Sequence, residues 1–99
     1  MTYNISESAL RDKCSKYLKT VPDLWFFKVY GNGVQKGGVA DFIICYKGKF
    51  IAIELKKPKD SYGITDRQRI ELKKIKFAGG IAYAINSLDD LKLILDNIK

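Results

Sequence analysis

The 99-residue sequence contains no histidine. That absence excludes a histidine general base, a Ser-His-Asp triad, histidine-ligated zinc and every nuclease motif that depends on an imidazole. Cysteine is scarce. Cys14 and Cys45 are the only two, far apart and outside any CxxC spacing. A disulfide framework and a zinc ribbon are therefore excluded, and a reducing, cytoplasmic setting is expected. Cys14 lies on a helical apolar stripe and Cys45 inside an apolar strand, so both read as small core residues. Long apolar runs are missing too. "FIICY" and "IAYAI" are five residues each, too short to cross a bilayer. The opening "MTYNISES" carries no signal-peptide core, and no repeat or low-complexity stretch interrupts the chain.

What is present suffices for one domain spanning residues 1–99. The hydrophobic fraction is 46%, enough for a core at this length. The formal net charge is +7, which favours an anionic partner. The excess is localised. Residues 28–76 hold 12 Lys/Arg against 5 Asp/Glu, whereas the two flanks together hold 6 of each.

The order of elements reads α-β-β-β-α-β-α, a mixed α/β sandwich with a central sheet flanked by helices. The spacing of Leu10, Cys14, Tyr17 and Val21 predicts a first helix over residues 5–19, closed by Pro22 and Asp23. "LWFFKVY" reads as an aromatic strand and "GNGVQKGG" as a glycine-rich loop. "ADFIICY" and "KFIAIEL" are strands around Lys47-Gly48, and "KPKDSYG" is a basic loop. A helix starts near Thr65, runs to Phe77 and ends at Gly79-Gly80. "IAYAI" is a short buried strand. Ser87 caps a last helix that carries Leu88, Leu91, Leu95 and Ile98 on one side.

The chemistry concentrates at "FIAIELKK", where an apolar strand ends in Glu54 and Lys56-Lys57. If Lys47-Gly48 is a two-residue hairpin turn, Tyr46 faces Lys49, Ile44 faces Ile51 and Asp41 faces Glu54. The period of two puts Lys56 on the same face. Two opposed carboxylates repel unless a cation lies between them. Two carboxylates with open water positions are what Mg²⁺ or Mn²⁺ prefers. A surface Glu-x-Lys pair is the plainer reading of the same spacing.

Two further residues carry two readings each. Glu7 lies in line with the apolar stripe and can reach the metal through water, but Asn4-x-x-Glu7 also fits a capping box. Gln68 is the second: Thr65-x-x-Gln68 is again a capping box, and a role at the site does not exclude it. Among the basic residues, Lys36, Lys57, Lys59, Arg67, Arg69 and Lys73 form a candidate set for binding a phosphate backbone. An ordinary solvated face is the alternative for Lys57, Lys59, Arg67, Arg69 and Lys73. The glycine-rich loop lacks both Walker and GxGxxG spacing. Tyr62 is a candidate for base stacking or for local packing.

Gly38-x-x-Asp41, Glu54-x-Lys56 on the next strand and Gln68 at a helix start together resemble the PD-(D/E)xK nuclease superfamily. Within it, the chain is similar to the stand-alone virus-type replication-repair nuclease (VRR-NUC) domain, a phage-type form, over nearly its whole length. "ITDRQ", "FAGGIAYAI" and "SLDDLKLIL" belong to that resemblance. Ala40 departs from it, where the family usually has proline. The resemblance implies a restriction-endonuclease-like fold and an Mg²⁺- or Mn²⁺-dependent DNA endonuclease acting on branched DNA in the manner of a Holliday-junction resolvase. It implies a metal held by Asp41, Glu54 and the Leu55 carbonyl, with Glu7 joining the shell. It further implies a water positioned by Lys56 and support from Gln68. Symmetric cutting of a four-way junction needs two sites, hence an expected homodimer with Trp25, Phe26 or Phe27 at its interface. A non-catalytic DNA- or RNA-binding module on the same basic fold is the alternative.

Overall fold

In the central hairpin, apolar residues alternate with smaller or polar ones on both strands, and that alternation assigns each face of the sheet to different helices. The computed structural model describes residues 7–29, 40–56 and 64–99. The elements are α1 (Glu7–Thr20), β1 (Leu24–Lys28), β2 (Phe42–Tyr46), β3 (Lys49–Leu55), α2 (Asp66–Phe77), β4 (Ile81–Ile85) and α3 (Leu88–Asp96). The order is the expected α-β-β-β-α-β-α. Asn4, Lys36, Gly38, Lys57, Lys59 and Tyr62, singled out above, lie outside the described residues.

The four strands form one sheet in the order β1-β2-β3-β4. The β1–β2 and β2–β3 pairs are antiparallel, and β3–β4 is parallel. A parallel pair needs a crossover, which α2 supplies.

Phe42 and Ile44 on β2, with Ile51, Ile53 and Leu55 on β3, pack beneath Leu10, Cys14 and Leu18 of α1 and Leu91 and Leu95 of α3. Each such side chain contributes roughly 1.5–3 kcal/mol on burial. The opposite face is lined by small residues. Ala40, Ala52 and Ala82 meet Leu72 of α2, so the helix lies close over β3 and β4.

The α2 ends follow from local chemistry. Thr65 and Gln68 cap each other reciprocally at the N-terminus. At the C-terminus, the Gly79 N–H donates to the Lys76 carbonyl and the Gly80 N–H to the Ile75 carbonyl. Gly79 has φ +98°. This is a Schellman stop, and it requires a residue that tolerates positive φ. Ser87 caps α3 by accepting from the Asp90 N–H.

The hairpin register is the one expected: Tyr46 pairs with Lys49 and Ile44 with Ile51. Both turn residues have positive φ, 52° at Lys47 and 76° at Gly48, as a type I′ turn requires. The Lys47 ammonium donates to the Ile98 carbonyl at 3.2 Å, a favourable place for a cation just beyond the C-terminus of α3.

Two side-chain expectations change. Cys45 is exposed, because alternation turns it to the α2 side of the sheet, where α2 packs chiefly on β3 and β4. Phe26 is half-buried and meets Phe42 edge-on, with ring centroids 6.0 Å apart. It is therefore a core residue, whereas Trp25 and Phe27 are exposed.

Candidate active site

The end of the hairpin opposite its turn gathers the acids. Asp41 immediately precedes β2, and continuing the Phe42–Ile53 register by one residue sets it opposite Glu54. Its backbone carbonyl accepts from the Val29 N–H at 2.8 Å. Its carboxylate is held at both oxygens. Oδ2 accepts from the Leu55 N–H at 2.7 Å, and Oδ1 accepts from the Arg11 guanidinium, also at 2.7 Å. Asp41 thus ties the start of β2 to the end of β3 and to α1.

Glu54 is only 2% exposed. It neighbours Ala84 of β4 and shares its sheet face with Ala52, where small residues leave room for a longer side chain. Its Oε1 is buried and has no hydrogen-bond partner. Burial, and then the Asp41 carboxyl hydrogen-bonded beside it, push the Glu54 carboxyl up to about 10. Protonation is how the pair relieves its repulsion when no cation lies between the two carboxyls.

Arg11 was not singled out by sequence reasoning. Its guanidinium bridges Asp41 and, at 3.3 Å, Glu7 one helical turn earlier. The Asp41 hydrogen bond is the main cause that raises the Arg11 pKa. Its Nε is buried without a partner. The legible signal was the i,i+4 Glu7–Arg11 pair beside the Leu10–Cys14 stripe. Among the described residues, no group of three acids, cysteines or histidines is gathered into a ready-made metal cage. Glu7 is tied to Arg11 instead.

The donor chemistry nevertheless fits a hard divalent cation. Asp41, Glu54 and the Leu55 carbonyl offer oxygen only, and Glu54 Oε1 is a buried acceptor lacking a donor. Lys56 follows β3, and its backbone N–H donates to the Ile85 carbonyl at 2.9 Å. That bond continues the β3–β4 ladder, so alternation assigns Lys56 to the side of Glu54. Gln68 uses its side-chain oxygen on the Thr65 N–H at 2.8 Å, so its observed role is capping. Of the described basic residues, Arg67 and Lys73 are exposed on α2, while Arg69 is paired with Asp66 at 2.6 Å.

No protein-family profile and no curated protein matches the sequence. Among solved structures, one titled "VRR_NUC domain" matches with a TM-score of 0.74 at 14% identity, covering 94% of this chain and 97% of that one. The chain therefore has the fold of a VRR-NUC domain, the restriction-endonuclease-like arrangement that the sequence resemblance implied. No helix among the described residues is long and apolar enough to cross a membrane.

Proposed function

We propose that this protein is a metal-dependent DNA endonuclease, with its active site at the Asp41–Glu54 end of the hairpin. The observation that carries this reading is the buried, unpartnered Oε1 of Glu54 beside Asp41. A buried acceptor with no donor is costly unless something binds there. The fold shared with a structure titled "VRR_NUC domain" supports a nuclease over other metal chemistries.

Asp41, Glu54 and the Leu55 carbonyl would hold Mg²⁺ or Mn²⁺. When bound, such an ion supplies an activated water and stabilises charge on the phosphate oxygens. The chain's own residues do the rest. Asp41 fixes the strand ends through Leu55, and Lys56 orients the attacking water or neutralises a phosphate oxygen. Arg67 and Lys73 of α2, with Lys36, Lys57 and Lys59, attract the DNA backbone without reading its sequence. Gln68 keeps the start of α2 in place by capping it.

Branched DNA is the substrate class we favour, and a homodimer the form that acts on it. The solvent-facing Trp25 and Phe27, 60% and 50% exposed, stand beside Cys45 and Ile43 on adjacent β2. That half of the sheet face offers apolar area for a second copy. Phe27→Ser should shift a dimer to monomer in light scattering. A wild-type mass of about 11 kDa at working concentrations would remove the dimer from the proposal.

The decisive assay incubates the wild type with Mn²⁺ on four-way, flap and nicked substrates. Metal-dependent cuts that vanish in Asp41→Ala and Glu54→Ala support the reading. Intact substrates with retained DNA binding favour a non-catalytic DNA-binding module, and preference for RNA favours an RNA-binding one.

A further inference from the structure

The site contains two orphaned polar atoms of opposite kind: Glu54 Oε1, an acceptor without a donor, and Arg11 Nε, a donor without an acceptor. Both are buried, and both belong to groups that interact with Asp41. An ion pair assembled purely for stability satisfies both partners. Here the guanidinium makes its 2.7 Å bond to Asp41 Oδ1 while another of its own N–H groups is left without an acceptor. Its seat is incomplete, and so is the acid pair it serves.

A second cation at Asp41 would have to share the carboxylate with the guanidinium already there. Oδ2 is committed to the Leu55 N–H, which fixes the carboxylate's orientation. Oδ1 accepts from Arg11, so a cation approaching that oxygen meets a positive charge already seated on it. A divalent ion on that oxygen would place two positive centres on one atom.

We propose that Arg11 is the site's built-in competitor for a divalent cation. Its guanidinium and the metal exchange at Asp41 Oδ1, so Arg11 sets the metal concentration at which the site fills. The proposal rests on the metal-site reading above. The exchange also resolves both orphans. Glu54 Oε1 would gain a cation to hold, and Arg11, still tethered to Glu7 one turn back, would turn its Nε toward water. Arg11 is a positioning residue in this scheme: without metal it holds Asp41 in the geometry the metal later uses.

The test needs no nucleic acid. Mn²⁺ binding is measured by titration calorimetry on EDTA-stripped wild type, Arg11→Gln and Arg11→Lys, with thermal unfolding of each in EDTA. Arg11→Gln should bind Mn²⁺ roughly five- to tenfold more tightly, the lower range for coupled binding events, while melting at a lower temperature in EDTA. Arg11→Lys keeps the charge but not the fork, so its affinity should fall between the two. It also serves as the folded comparator if Arg11→Gln does not fold in EDTA. A folded Arg11→Gln or Arg11→Lys that binds Mn²⁺ no more tightly than wild type overturns the exchange and leaves the metal site standing. If wild type takes up no Mn²⁺, the metal reading falls and the exchange falls with it.

Discussion

The two ends of the β2–β3 hairpin are built by one register and finished in opposite ways. At the turn, two positive-φ residues close the chain and the Lys47 ammonium has a carbonyl to bond. At the other end, the same pairing delivers Asp41 and Glu54 to adjacent positions and leaves two buried polar atoms unpartnered. Propensity and packing account for the first end. Neither accounts for the second, where two buried polar atoms lack partners, the feature on which the proposed metal site rests.

The largest effect should come from Asp41→Ala at the open end. It removes the acceptor for both the Leu55 N–H and Arg11. Stability in EDTA should fall by about 2–3 kcal/mol by urea unfolding. Cleavage should fall by more than about 100-fold, since even loss of a residue that merely orients a metal ligand costs roughly 10- to 100-fold.

Glu54→Gln separates function from stability at the same end. Cleavage should again be lost, because an amide is a poor metal ligand. Stability in EDTA should respond to pH in a defined direction. The folded-state pKa of Glu54 is raised above its ordinary value of 4.5. Its contribution is therefore complete below that value and is lost as pH rises toward about 10. Wild type should melt progressively lower than Glu54→Gln as pH increases through this window. A constant difference between the two melting temperatures would contradict a protonated, buried Glu54.

At the closed end, Gly48→Ala should cost about 1 kcal/mol, because alanine resists the φ of +76°. Cleavage at permissive temperature should not change. Lys47→Ala should have the smallest effect, about 0.5 kcal/mol, through loss of the bond to the Ile98 carbonyl. Strongly impaired cleavage in either turn variant would mean that the two ends are not independent.

The contrast also marks what the sequence could reveal. Period-two alternation and Gly48 were enough to place Asp41 opposite Glu54, because register is fixed wherever a face is buried. Capping by Thr65 and Ser87 was legible for the same local reason. Arg11 was not, because its bond to Asp41 joins residues 30 positions apart and depends on how α1 settles on the sheet. Cys45 was misplaced because an apolar strand implies burial on both faces only if helices cover both. That α2 packs chiefly on β3 and β4, leaving Cys45 uncovered, is a property of the assembled layers. Phe26, Trp25 and Phe27 could not be sorted until the direction of β1 relative to the core was known.

The chain's only tryptophan, Trp25, stands 60% exposed on β1. Its emission in the monomer should already resemble that of an unfolded chain. Denaturation followed by tryptophan fluorescence should therefore show little change, and far-ultraviolet circular dichroism is the better record of unfolding. Conversely, a blue shift of that emission under native conditions would report that another molecule has come to rest on β1.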